Sequence, residues 1–176
     1  ARALHYLPLA AASALAANAA AEAIDFVRAA QRLAEEAADA PPIIERARWL
    51  AMRGRAENAL GRLTEARASF EAALDLLGEA PPASRTMLLA SIAAETQRQS
   101  RNRKRGLLSG PEDAAELDRL ELAAGTAERL FLIYVFAGES SRALWTVLRA
   151  TNLAEATGRP SPLLSRCYTD LAAALT

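Results

Sequence analysis

One stretch of the sequence, residues 47–80, constrains the fold more than any other. It reads ARWLAMRGRAENALGRLTEARASFEAALDLLGEA, which is two amphipathic segments joined at Gly61-Arg62. Small residues at two points would let the two segments cross closely as helices, and an aromatic ring would fill the space beside them. Counted from Ala47 as position 1, these residues fall at positions 8, 20, 24 and 27 and are Gly54, Ala66, Phe70 and Ala73.

This spacing resembles that of a tetratricopeptide (TPR) unit, whose repeat is about 34 residues long. The match is partial, because Leu50 stands at the usual Trp position, and Arg53 and Glu57 replace the usual Leu and Tyr. Two further segments carry the spacing of positions 20, 24 and 27. They lie 43 residues before and 77 residues after the central set, and their residues are Ala23, Val27, Ala30, Ala143, Val147 and Ala150.

The composition favours helices throughout the chain. Hydrophobic residues make up 52% of the sequence but aromatic residues only 5%, so the core must consist mainly of Ala and Leu, which are strong helix formers. The positions of Pro and Gly residues between the apolar segments predict eight helices. These lie at about 2–17, 20–38, 43–60, 63–77, 83–100, 111–136, 139–157 and 161–175.

We expect an all-α fold, a single TPR-like α-solenoid domain over residues 1–176. Its antiparallel helix pairs, at about 2–38, 43–77, 83–136 and 139–175, would form a right-handed superhelix. The eighth helix has an apolar face and no following partner, so we expect the chain to be a fragment of a longer array. The Ala-rich start resembles a signal peptide, but Pro8, Ser13 and Asn18 interrupt its apolar run, and we do not expect one.

The fifth predicted helix carries an apolar stripe in its first part and basic residues at its end. Its expected buried stripe is Met87, Leu88, Ile92 and Ala93. It ends in a basic tract, which suits a helix C-terminus and could also hold nucleic acid or another anionic surface weakly. The helix-terminus interpretation is favoured, because no aromatic residue interleaves the tract and 21 acidic residues balance 21 basic ones. The tract comprises Arg98, Arg101, Arg103, Lys104 and Arg105.

The order of the segments also resembles a larger family. Three segments are similar to the helical C-terminal regions of bacterial signal-transduction (STAND) ATPases. They are ALGRLTEARASFEAALDLLG, LLASIAAETQRQSRNRK and, as the most specific of the three, LRATNLAEATGRPSP with the helix after it. Such regions are often fused to class III adenylate or guanylate cyclase domains. The resemblance implies a cytoplasmic regulatory array that senses or scaffolds while other domains carry out chemistry.

The residues that catalysis or metal binding would need are scarce. Lys104 is the only lysine and is followed by Arg105, so no phosphate-binding P-loop is present. His5 and Cys167 are the only residues of their kinds, which disfavours a standard zinc site and a disulfide. We expect Cys167 to be buried and His5 to be a partly exposed helix residue. No catalytic residue, cofactor or metal is predicted, and no run approaches the ~18 apolar residues of a membrane span.

The best candidate for function is the inner face of the predicted superhelix. In TPR arrays the first helix of each pair lines a groove that receives a peptide or a partner helix. We expect a non-catalytic protein-interaction or scaffold module that binds a protein, or other domains of its parent chain, there. The alternative is a ligand-sensing effector domain of a STAND-type transcriptional regulator. The expected groove residues are Arg48, Ala51, Arg55 and Asn58, with Glu128 from a later pair.

Overall fold

The structure, a computed structural model, describes residues 2–37, 40–105 and 109–175. These residues form helices joined by short connections and no strand, which confirms the all-α fold class. Contacts divide the chain into two compact units, Ala1–Gly78 and Glu79–Thr176. The solenoid arrangement and the single domain over 1–176 stay predictions. The helices are α1 Arg2–Ala16, α2 Ala20–Glu35, α3 Ile43–Ala59, α4 Leu63–Leu76, α5 Arg85–Arg105, α6 Ala114–Phe136, α7 Ser140–Ala156 and α8 Pro162–Ala174.

The helix ends lie close to those predicted, with three informative differences. Helix α2 ends at Glu35, and the last residue of the predicted helix, Ala38, lies outside the described residues. Helix α5 continues through the basic tract to Arg105, because charged residues are good helix formers. Helix α6 begins after Asp113, whose Oδ1 accepts a hydrogen bond of 3.0 Å from the N–H of Ala115, and it continues without a break past Gly125.

Three helix ends share one turn geometry. Asn18, Gly61 and Gly138 have φ values of 59°, 72° and 71°, a left-handed conformation that also occurs at Gly78 after α4 and at Gly158 after α7. What the three ends share further is that the N–H of the following residue bonds back to a carbonyl five residues earlier, as in the bond from Arg62 to Glu57 of 2.9 Å. The turns are spaced by 43 and 77 residues, the same offsets that the packing residues have in the sequence.

The first unit is built around α3, which contacts α1, α2 and α4. Its buried side chains are mostly small, as the Ala-rich composition requires. Phe70 of α4 is the largest side chain of this unit with no exposed surface, and it lies beside Gly54 of α3. Two clusters join α1, α2 and α3, and their members are Ala11, Val27, Ala30, Trp49 and Met52 in one and Ala20, Ala23, Ile24 and Ala56 in the other.

The second unit is built around α7, which contacts α5, α6 and α8. Tyr134 of α6 and Leu171 of α8 are among its fully buried side chains. The sequence predicted that helix five pairs with helix six within 83–136. In the structure α5 packs on α7 instead, and among the described residues it has no contact with α6. The reason lies in the side chains of α5, whose polar groups match polar groups on α7.

The expected apolar stripe of α5 is wrong for three of its four residues. Leu88 is buried, but Met87 is 60% exposed, Ala93 is exposed and Ile92 is only partly buried. The buried residues beyond Leu88 are Glu95, Gln99 and Asn102. Their spacing of three to four residues puts them on one helical face, so α5 buries a polar stripe.

Candidate functional site

Helix α3 carries three of the four residues predicted to bind a partner. Arg55 and Asn58 are exposed, and the Arg48 side chain is 37% exposed. Arg48 Nε lies 3.8 Å from Oε1 of Glu45, one turn earlier on the same helix. Because the three residues are seven and three positions apart, they lie on one side of α3. This exposed polar surface, called here the α3 surface, consists of Arg48, Arg55 and Asn58.

Two other residues expected in the groove are buried. Glu128 of α6 is 9% exposed, and its Oε1 accepts a hydrogen bond of 2.8 Å from Nε of Arg166 on α8. Its carboxylate therefore ties α8 to α6, and the expectation that it is an exposed groove residue is wrong. Ala51 is also buried, because α3 is covered on several sides by α1, α2 and α4.

The seven residues predicted to hold the helix pairs together all lie in the interior. On the α3–α4 pair, Gly54, Ala66, Phe70 and Ala73 are all buried. On α7 the matching residues Ala143, Val147 and Ala150 are buried too. The glycine and alanine residues among them leave room for close helix contacts.

A polar interface that the sequence analysis missed joins α5 to α7. Nδ2 of Asn152 donates to Oε2 of Glu95 at 2.7 Å and to its backbone oxygen at 3.0 Å. Nδ2 of Asn102 donates to Oε2 of Glu155 at 2.6 Å, and Nε2 of Gln99 donates to Oε1 of Glu155 at 2.8 Å. Buried polar groups are tolerated when they pair in this way.

Arg149 of α7 lies at the centre of the charged part of this interface. Its Nη1 donates to Oε1 of Glu95 at 3.0 Å, and its Nε donates to Oε2 of Glu79 at 2.7 Å. Both glutamates are more than nine-tenths buried. Glu79 also accepts from Nη1 of Arg119 at 3.1 Å, and the Arg119 pKa is raised mainly by its hydrogen bond to Glu116. The arrangement neutralises two buried acids, which is a structural role.

The far end of the polar interface reaches α8. The hydroxyl of Tyr168 donates to Oε1 of Glu155 at 2.6 Å. Burial, followed by this neighbouring carboxylate, raises the pKa of Tyr168 to about 12. The spacing of Glu95, Gln99 and Asn102 is visible in the sequence, but nothing in it names α7 as their partner.

The basic tract at the end of α5 is largely exposed. The Arg98 side chain is 55% exposed, and its Nε lies 4.0 Å from Oε2 of Glu95. Arg101, Arg103, Lys104 and Arg105 are exposed on the last turns of the helix. Cations there suit the negative end of the helix dipole. Binding of nucleic acid by this tract stays an untested alternative.

The two candidate nucleophile or base residues sit in unremarkable surroundings. Cys167 is fully buried, and burial raises its pKa to about 12, so its reactive thiolate form is scarce at neutral pH. His5 is exposed on α1, with its ring 5.2 Å from that of Tyr6.

No group of three or more acidic, His or Cys residues in the described part of the chain could hold a metal ion. Among the described helices, none has the length and apolar character to cross a membrane.

Comparison with known proteins gives no relative from which a role could be transferred. No protein-family model matches the sequence, and searches of curated proteins and of solved structures find no significant match.

Proposed function

We propose that this chain is a non-catalytic protein-interaction and regulatory module built of TPR-like helix hairpins. The observation that supports it most is the recurrence of one turn at Asn18, Gly61 and Gly138, with the same offsets as the packing residues. A repeated helix pair stacks on its neighbours and presents one helix of each pair to a groove. The sequence resemblance to STAND-type ATPases and cyclases supports a parent protein of that kind, acting in the cytoplasm.

The α3 surface is the part of the module that would receive a partner. Arg48 and Arg55 supply donors for carboxylates or backbone carbonyls, and the Asn58 amide can both donate and accept. Such a set favours an acidic or extended protein segment over an apolar helix.

Capture of partners from an extract of the source cells tests this proposal. The wild type is compared with the Arg48→Ala/Arg55→Ala/Asn58→Ala variant and with Arg28→Ala/Arg32→Ala, which removes two exposed arginines from α2. We expect one partner to be retained by the wild type and by the α2 control, and lost with the triple variant. Equal capture by all three would overturn the assignment to the α3 surface.

A further inference from the structure

The basic tract at the end of α5 is a local excess of positive charge. Residues 98–105 contain its five cations and no acid, although the whole chain has no net charge. Arg98 lies 4.0 Å from Glu95. The other four cations are exposed and have no ion pair among the described residues, and they are Arg101, Arg103, Lys104 and Arg105.

The acids that α5 meets at its interface with α7 are turned away from the outer surface of the tract. Glu95 is the only acid of α5, is 6% exposed and is bound by Arg149 and Asn152. Glu155 of α7 is 4% exposed and accepts three hydrogen bonds from side chains of α5 and α8. Neither carboxylate is therefore exposed beside the cations.

The structure brings to the tract an aromatic side chain that its own sequence lacks. Nδ2 of Asn102 and the hydroxyl of Tyr168 on α8 each donate at 2.6 Å to Glu155, on different oxygens of that carboxylate. Burial and Glu155 raise the pKa of Tyr168 to about 12 while Arg103 opposes them, so Arg103 also lies within electrostatic reach. Tyr168 is 41% exposed, so its side chain stays accessible to a ligand.

The cations continue around the outer side of α5. Arg98, Arg101 and Arg105 are three and four positions apart and therefore line one side of the helix. Arg103 lies towards α8, as its effect on the pKa of Tyr168 shows, and Lys104 between them faces away from α7. A polyanionic chain that crosses the end of α5 therefore meets several cations before it reaches α8.

Cations beside an accessible aromatic ring fit single-stranded nucleic acid better than other polyanions. Arginine and lysine bind its phosphates, and its unpaired bases stack on aromatic side chains. Four of the five cations are arginines, whose planar guanidinium groups match phosphate oxygens in pairs. An acidic protein segment uses the cations but has no bases to stack on Tyr168, and a duplex keeps its base faces inside the helix.

We propose that the basic tract and Tyr168 bind single-stranded nucleic acid, with the cations on consecutive phosphates and the Tyr168 ring stacked on one base. The helix-terminus interpretation was favoured because no aromatic residue interleaves the tract, and Tyr168 supplies that residue from another helix. The site lies in the second unit and is independent of the α3 surface, so either assignment can fail without the other.

Fluorescence anisotropy of a labelled oligothymidylate of about 15 nucleotides, titrated with the full chain at about 50 mM salt, tests the proposal. We expect saturable binding whose logarithm falls with the logarithm of salt concentration with a slope of about −2 to −3, as three to four phosphate contacts on a single strand give. Arg101→Gln/Arg103→Gln/Lys104→Gln/Arg105→Gln should weaken binding at least about tenfold and flatten this slope.

The matched control removes the same charge elsewhere. Arg28→Gln/Arg32→Gln/Arg46→Gln/Arg62→Gln changes four exposed arginines of the first unit and should leave binding nearly unchanged. Equal weakening in the two quadruple variants would show attraction by net charge alone and would overturn the site. Absence of saturable binding by the wild type would overturn it too.

An abasic strand of equal length and charge isolates the role of Tyr168. The wild type should bind oligothymidylate at least about fivefold more tightly than the abasic strand, since stacking on an aromatic ring contributes about that much per base. Tyr168→Leu should lose this preference, whereas Tyr168→Phe, which keeps the ring and removes the bond to Glu155, should retain it.

Three further results contradict the proposal. The wild type could bind the two strands equally, or Tyr168→Leu could keep the preference for bases, and either result would remove the stacking contact. Polyglutamate of equal charge could compete as well as unlabelled oligothymidylate, which would assign the basic tract to acidic protein segments instead.

Discussion

The ring of Phe70 lies directly over the backbone of Gly54. A Cβ atom added at Gly54 would sit 2.7 Å from two of the ring carbons, closer than carbon atoms approach in folded proteins. Phe70 itself has no exposed surface. The glycine on α3 and the aromatic residue on α4 are therefore one packing unit, and each explains why the other occupies its position.

Replacing Phe70 by Ala should destabilise the first unit by about 3–5 kcal/mol, because it removes a buried ring and leaves a cavity over Gly54. Urea unfolding followed by Trp49 fluorescence in a Trp145→Phe background measures this. Tyr6→Ala is the matched control, since Tyr6 is an aromatic residue of the same unit that is 63% exposed, and it should change stability by less than about 0.5 kcal/mol. A loss below ~1 kcal/mol for Phe70→Ala would mean that the ring does not anchor the pair.

Gly110→Ala should destabilise the second unit by about 1–3 kcal/mol or more, as overpacking against a rigid neighbour does. Its added Cβ would stand 2.0 Å from the backbone oxygen of Thr157 at the end of α7. Gly125→Ala should not destabilise this unit, because the atom nearest to the added Cβ is a Leu163 methyl group at 3.8 Å and because alanine is a better helix former than glycine. Thermal unfolding compares them, and equal midpoints for the two variants would refute the close approach at Gly110.

Arg149→Met should cost about 3–5 kcal/mol at neutral pH, because it leaves Glu79 and Glu95 buried with their main charged partner removed. Arg98→Met is the control: it removes a half-exposed cation 4.0 Å from the same Glu95, and exposed pairs contribute less than about 1 kcal/mol. Unfolding in denaturant measures the free energy of unfolding of the two variants and of the wild type. Similar losses for the two variants would show that Arg149 does not hold the polar interface together.

Stability should fall at alkaline pH because of Cys167. Its pKa rises from 9.0 to about 12 on folding, mainly through burial, so between these values the unfolded chain releases a thiol proton that the folded chain keeps. The unfolding free energy must then decrease as pH rises from 9 towards 12. Cys167→Ala should show a smaller decrease over that range, with Tyr168 still contributing in the same direction. An unchanged slope in the variant would rule out this role of the thiol.

The turns at Gly61 and Gly138 were predictable because their signals are local. Glycine at a helix end, followed by small residues at fixed spacing, indicates both the turn and the face that packs, as at Gly61 and Ala66. The contact of α5 with α7 was not predictable in the same way. Its partners Glu95 and Asn152 are 57 positions apart and polar, so neither hydrophobic periodicity nor local spacing identifies them.

The candidate site could be predicted only in part, for a related reason. Arg48, Arg55 and Asn58 follow one face of a single helix, so their spacing places them side by side, but Ala51 has the same spacing and is buried, so spacing alone does not predict exposure. Glu128 is buried because Arg166, which belongs to another helix, pairs with it.

The most direct test of the α3 surface is the affinity of the purified, captured partner, measured by titration calorimetry. The Arg48→Ala/Arg55→Ala/Asn58→Ala variant should bind at least about tenfold more weakly than the wild type, a loss of ~1.4 kcal/mol, since hydrogen bonds to charged groups contribute about that much or more. Arg28→Ala/Arg32→Ala should bind as the wild type does. Equal affinity of all three proteins would contradict partner binding by the α3 surface.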